Sequence, residues 1–357
     1  MTISVWILKL LRYPLANHKK VLLSISTWLI LIFLLKIVVA KPHLLEFEYS
    51  NANFKVLGLS LPARLEFAGE LVPQNDYEIK ESLEAEFFTN KSWKNSSITL
   101  FQKARKWFPL IEPILKKEGI PDDFKYVAII ESHLENVVSP MGAAGFWQLM
   151  PKTAREYGLI VNEEVDERYD VEKATYVACK HFKDGYNYFH NWTLSAAAYN
   201  IGIGGIQQAL KKQNTDNYYD LLLNKETGSF VYRILAYKTL LSNPAHFGIK
   251  KKFKKSNPFP DFKIMKVDSS ITNIKSFAKY LETDIVTLKI FNAWFIGERL
   301  TNTDNHVYSF KIPKNKNIDL SLYFNDIFPT QKTNDTLIST LSADTTKVSL
   351  KDSIKPF

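Results

Sequence analysis

Along the middle of this chain apolar side chains recur on a 3.6-residue period, and the stripes they draw predict a largely helical protein. Between Ile98 and Lys117 the residues Phe101, Ala104, Phe108, Ile111 and Leu115 share one face, and Gly119 is placed to stop that helix. Pro121-Asp122-Asp123 opens the next helix, with a proline and two acids in the turn where free N–H groups and the helix dipole favour them. Asp170 is placed to cap a helix through Phe189 that buries Ala174, Val177, Ala178 and Phe182. Thr193 is placed to cap a short helix ending at Tyr199-Asn200, which Gly202, Gly204 and Gly205 break before another runs to Lys211. A last helix is expected from Ser229 to Leu241.

Elsewhere the pattern changes. Residues 21–40, VLLSISTWLILIFLLKIVVA, are almost wholly apolar and follow a segment with Lys9, Arg12, Lys19 and Lys20 and no acid. That asymmetry predicts a membrane-directed helix with its basic flank inside the cell and the rest of the chain outside. A cleaved signal segment ending at Val38-Val39-Ala40 is the alternative, and it exports the chain as well. After the basic run Lys250 to Lys255 and the prolines Pro258 and Pro260, a strand-like FKIMKVD, helical TNIKSFAKYL and DIVTLKIFNAW, and strand-like VYSFKIP give a βααβ order. From Thr330 onward apolar residues are sparse, which predicts disorder.

One stripe is anomalous. Phe124, Val127, Ala128, Glu131 and Leu134 share a face, so Glu131 stands where a core residue belongs. Desolvation there raises a carboxyl pKa, and a position in the last turn before Asn136 pushes the same way through the helix dipole. A proton held near neutral pH suits a general acid. Taken alone, Glu131 reads more readily as a snorkelling or paired glutamate on a buried helix than as a catalytic acid.

Its neighbours decide between these. Glu131-Ser132, the loop Ser139-Pro140-Met141-Gly142-Ala143-Ala144-Gly145-Phe146-Trp147-Gln148-Leu149-Met150-Pro151, then Ala196-Ala197-Ala198-Tyr199-Asn200-Ile201-Gly202, and finally Glu226-Thr227-Gly228-Ser229-Phe230-Val231, occur in that order. Together they resemble the lytic transglycosylase domain that cleaves bacterial peptidoglycan, and within it the membrane-bound type D group. Phe230 departs from the family, which usually has tyrosine there. The βααβ segment, with Thr283 to Asn292 as its clearest part, resembles a degenerate LysM module.

The resemblance implies a mainly α fold: a lysozyme-like helical catalytic domain like goose-type lysozyme, a small βααβ LysM-like C-terminal module and an N-terminal transmembrane helix. It also implies that Glu131 is the single catalytic acid and base, with Ser132, Gly145, Gln148, Met150, Tyr199, Asn200 and Glu226 binding substrate or steadying the glutamate. Trp147 has two readings, stacking on a sugar and burial beneath the loop, of which burial is the commoner fate of such a residue. A hydrolytic muramidase needs a second carboxylate, for which Asp166 and Glu226 are the candidates, and a non-catalytic peptidoglycan-binding scaffold is the remaining alternative.

Composition narrows the partners. The chain has 357 residues, 46% of them apolar and 13% aromatic, with a formal charge of +9, which suits an anionic surface such as lipid headgroups or an acidic wall polymer. Its basic residues are spread rather than clustered and no nucleic-acid module is present, so nucleic acid is not expected as a partner. One cysteine, Cys179, excludes an internal disulfide. No metal-ligand spacing and no phosphate loop are visible, so no cofactor or metal is expected. The partners expected are peptidoglycan strands, the membrane through residues 21–40, and other cell-wall enzymes, in the periplasm at the inner membrane. The domain reading is a cytoplasmic basic segment 1–20, anchor 21–40, linker and strap 41–96, catalytic domain 97–245, basic linker 246–261, LysM-like module 262–315 and a largely disordered tail 316–357.

Overall fold

The computed structural model describes residues 62–89, 93–244, 259–315 and 317–328. Over these residues the chain is mainly helical, with two small antiparallel sheets. A hairpin of β1 (Glu66–Phe67) and β2 (Glu70–Leu71) leads into α1 (Tyr77–Thr89). Helices α2 (Trp93–Lys117), α3 (Lys125–Ser132), α4 (Pro151–Glu156), α5 (Val171–Phe189), α6 (Trp192–Gln213) and α7 (Lys225–Ser242) complete the larger helical part. Helix α1 was not foreseen within the strap; it turns Ile79, Leu83 and Phe87 inward, and α7 is the helix it packs on.

Local chemistry explains most of the ends. At Gly119, with φ of +69°, α2 stops, and Ile120 N–H returns to Leu115 O at 2.9 Å. Asp170 caps α5 by accepting from the N–H groups of Glu172 and Lys173, as expected. The cap of α6 is Asn191 rather than Thr193, its Oδ1 accepting from Leu194 N. Thr193 is diverted because Glu70, from the hairpin, accepts from Trp192 N, Thr193 N and Thr193 Oγ1 at 2.6 to 2.8 Å. Gly202, with φ of +81° and ψ of 156°, interrupts the helical backbone of α6. Helix α7 starts at Lys225, ahead of the expected Ser229, because Asn224 caps it through Thr227 N.

The core gathers where these helices meet α3. Phe124 lies 4.4 Å from Phe182 and 5.1 Å from Phe67, ring centre to ring centre, and all three are fully buried.

The smaller module has the expected βααβ order: β3 (Phe262–Val267), α8 (Ile274–Tyr280), α9 (Ile285–Phe291) and β4 (Tyr308–Pro313), with β3 and β4 paired antiparallel. It lies in the same compact unit as the helical part. Asp166 N–H donates to Trp294 O at 2.7 Å, Glu164 O accepts from Ile296 and Gly297, and Lys311 lies 3.3 Å from the Asp170 carboxylate. Val165 joins the module's own apolar cluster around Trp294, Phe295 and Phe310.

A further helix, α10 (Ser321–Ile327), stands where the tail was expected to begin. Its Tyr323, Asp326 and Ile327 are buried, and the partners that bury Asp326 lie on α2, too far away in sequence for the heptapeptide to announce. The apolar segment 21–40 lies outside the described residues; among the described residues no helix is long and apolar enough to cross a membrane.

Candidate functional site

Helix α3 has eight residues, and six of them, Tyr126 to Ile130 and Ser132, are buried. The other two, Lys125 at the start and Glu131 near the end, are half-buried. Burial pushes the Glu131 carboxyl up from an ordinary 4.5 to about 7, with Arg233 pulling it down and Glu226 adding a smaller upward push. No ion pair or hydrogen bond to the Glu131 carboxyl occurs among the described residues. A carboxyl this poorly solvated and near neutral in pKa can both give and take a proton at physiological pH.

Three segments distant in sequence meet around it. The first is the glycine loop. Ser132 is buried, and its Oγ donates to Phe146 O at 2.8 Å and to Ala128 O at 3.0 Å, so it ties the glutamate helix to the loop rather than facing a ligand. Gly145 has φ of +80°, and a Cβ on it would lie 2.1 Å from Arg168 O, so only glycine fits. Gln148 also has positive φ; its Nε2 donates to Val137 O and Gly145 O, both at 2.9 Å, which folds its amide into the loop. Trp147 is fully buried and donates from Nε1 to Thr175 Oγ1, as its burial reading anticipates. Met150 caps α4 at the far end of the loop and is exposed.

The second segment brings Tyr199 from α6. Its hydroxyl donates to Trp147 O at 2.6 Å, and its ring packs on Phe182 and His181. The Tyr199 hydroxyl pKa is raised well above its usual value by burial and then by the Glu131 charge, which places the two groups in one electrostatic environment. The third segment is the first turn of α7. Asn200 Oδ1 accepts from Thr227 Oγ1 at 2.7 Å, and its Nδ2 donates to Glu226 Oε1 at 3.3 Å. Thus the Tyr-Asn pair and the Glu-Thr pair interlock beside the glutamate.

Asp166 is elsewhere. Its carboxylate takes both forks of Arg168, at 2.9 and 2.7 Å, while Arg168 Nη1 donates to Gly142 O and Leu149 O at 2.7 and 3.0 Å. The pair is buried and braces both ends of the glycine loop, so Asp166 is spent on structure. Two arginines therefore matter that the sequence reading did not single out. Arg168 holds the loop, and Arg233, whose Nη2 donates to Ile130 O at 2.8 Å, sets a positive charge near Glu131. A trace of the second was available: Arg233 interrupts the apolar run Val231, Ile234, Leu235, Ala236. His133, next to the glutamate, turns away in a left-handed cap and contacts the Tyr237 hydroxyl at 3.3 Å. Among the described residues no group of three or more His, Cys, Asp or Glu side chains is placed to hold a metal ion.

The comparisons with known proteins agree with the motif resemblance. Residues 109–222 match the transglycosylase SLT domain, and residues 263–316 match the soluble lytic transglycosylase C-terminal LysM-like domain. Over 185 residues the chain is 31% identical to the membrane-bound lytic murein transglycosylase D of Escherichia coli strain K12, an alignment covering 50% of this chain and 40% of that protein. The protein of the same name from Escherichia coli O6:H1 matches equally. The matched stretch thus spans well under half the length of these relatives. Among solved structures, the 70 kDa soluble lytic transglycosylase of Escherichia coli aligns with a TM-score of 0.34 at 23% identity, over 39% of this chain and 24% of that one, too slight a likeness to bear on mechanism.

Proposed function

We propose that this chain is a peptidoglycan lytic transglycosylase in which Glu131 is the single general acid and base. The observation that carries this reading is the convergence of the glycine loop, Tyr199-Asn200 and Glu226-Thr227 on one poorly solvated carboxyl whose pKa is about 7. The matches to the SLT and LysM-like domains support the same substrate class.

In this mechanism protonated Glu131 gives its proton to the glycosidic oxygen between N-acetylmuramic acid and N-acetylglucosamine, and the bond from that oxygen to C1 breaks. The glutamate, now ionised, takes the proton of the muramic acid C6 hydroxyl, whose oxygen closes on C1. One product end is 1,6-anhydro-N-acetylmuramic acid, and Glu131 is again protonated. Arg233 stabilises the ionised form in mid-cycle without collapsing it into an ion pair. Tyr199 and Asn200 steady the glutamate and the sugar. Gly145 and Gln148 shape the loop that receives the N-acetyl groups, with Met150 and the exposed Glu226 at the margins; Ser132 acts through the loop. Of the two carboxylates the muramidase alternative could use, Asp166 is held by Arg168, which leaves Glu226 as its one candidate beside Glu131. The cell envelope is the location this substrate requires, with residues 21–40 as anchor, and the LysM-like module is read as a second contact with glycan.

Glu131→Gln keeps the shape but cannot donate the proton. Its cleavage of purified peptidoglycan should fall by about 10²–10⁴-fold while the circular dichroism spectrum stays that of the wild type. Retained cleavage by the folded variant would remove Glu131 from its role.

A further inference from the structure

Beyond both matched domains, α10 places a carboxylate inside the helical part of the molecule. Asp326 is 3% exposed. Its Oδ2 accepts from Lys106 Nζ and, at 2.9 Å, from Trp107 Nε1, and its Oδ1 lies 3.7 Å from Lys103 Nζ. Both lysines project from α2 and are at most 9% exposed. Lys103 is shared with Glu135, and Lys106 also donates to Leu322 O. Ammonium groups this deep require counter-charges, and Asp326 and Glu135 provide them.

The main chain of Asp326 makes a contact that charge balance does not require. Its carbonyl accepts from Asn136 N–H at 2.7 Å. Asn136 is fully buried and sits where the left-handed turn at His133 and Leu134 ends α3 and hands the chain to the glycine loop. The next residue, Val137, accepts through its carbonyl from Gly145 N at 3.1 Å and from Gln148 Nε2 at 2.9 Å. A continuous path of bonds therefore runs from the α2 lysines through Asp326 and Asn136 into the loop beside Glu131.

We infer that α10 is a clasp on the active-site loop and that Asp326 is its positioning residue, fixing the exit of α3 and the start of the loop in the geometry Glu131 needs. Its catalytic consequence rests on the reading of Glu131 given above; the clasp itself is measured without any activity. A general stabiliser would act on the whole core. Asp326 instead touches α2 and the α3–loop junction, so its loss should be felt locally.

The test uses the full chain carrying Asp326→Asn. Hydrogen exchange of the amides from 136 to 149 should accelerate about tenfold or more, while amides of β3 and β4 keep their wild-type rates. On peptidoglycan, kcat should fall about tenfold at a temperature well below unfolding. Because the single change leaves a lysine without its counter-charge, Asp326→Asn with Lys106→Met provides an electrically balanced partner variant, with the same expectation. Wild-type exchange in the loop of a folded variant overturns the clasp, whatever its melting temperature. Faster loop exchange with unchanged kcat overturns the positioning role. Faster loop exchange in a protein whose wild type releases no cleaved glycan keeps the clasp and discards the transglycosylase reading instead.

Discussion

Glu131 holds its proton by being badly solvated, and that has a cost to stability whose sign can be worked out. Its folded pKa of about 7 lies above the ordinary 4.5, so the folded protein binds more protons than the unfolded chain between those values. The associated stability is fully present below the lower pKa and is lost as pH rises through the upper one. Allowing for partial exposure, the loss amounts to about 1–3 kcal/mol at pH 8. Glu131→Gln should therefore melt about 2–6 °C above wild type near pH 8 and match it near pH 4. Thermal scans at both pH values check this, and equal melting points at pH 8 would mean the carboxyl is well solvated. For the wild type, kcat/KM should fall as pH rises above about 7, where the acid form is lost. The glutamate was legible in sequence because a carboxylate on an apolar stripe contradicts its immediate surroundings. Arg233 and Arg168 were not, because their meaning lies in Ile130, Gly142 and Leu149, which only the fold brings to them.

Among the elements, the glycine loop is tightly constrained at Gly145. Gly145 combines positive φ with a backbone carbonyl 2.1 Å from where a Cβ would stand, and that carbonyl belongs to Arg168, the residue bracing the loop. Gly145→Ala should cost about 3 kcal/mol or more and abolish most cleavage, measured by thermal unfolding and peptidoglycan digestion. A variant of wild-type stability would show that the loop relaxes freely. Helices α2, α5 and α6 and the βααβ module were readable from periodicity. Helix α1 was obscured because only Ile79, Leu83 and Phe87 mark its inner stripe amid acids and lysine. Helix α10 was obscured for a different reason: its key inward residue is Asp326, and a buried charge looks like a surface one until its lysines are in view. The cap of α6 falls on Asn191 and not on Thr193, whose hydroxyl is captured by Glu70, 123 residues away in sequence.

Across the whole molecule, the helical part, the βααβ module and α10 act on one another rather than standing as beads. Glu164, Asp166 and Asp170 lie between the glycine loop's brace and the module, and Lys311 reaches across from β4 despite its burial because Asp170 and Glu172 hold its charge. This coupling was not readable from domain order, since neither partner sequence carries a mark of the other. The decisive measurement therefore uses the full chain. Purified peptidoglycan digested with it should yield muropeptides ending in 1,6-anhydro-N-acetylmuramic acid, lighter by one water than hydrolysed ends and resolved by mass spectrometry. Reducing N-acetylmuramic acid ends in their place would contradict the single-glutamate mechanism and call for a second carboxylate.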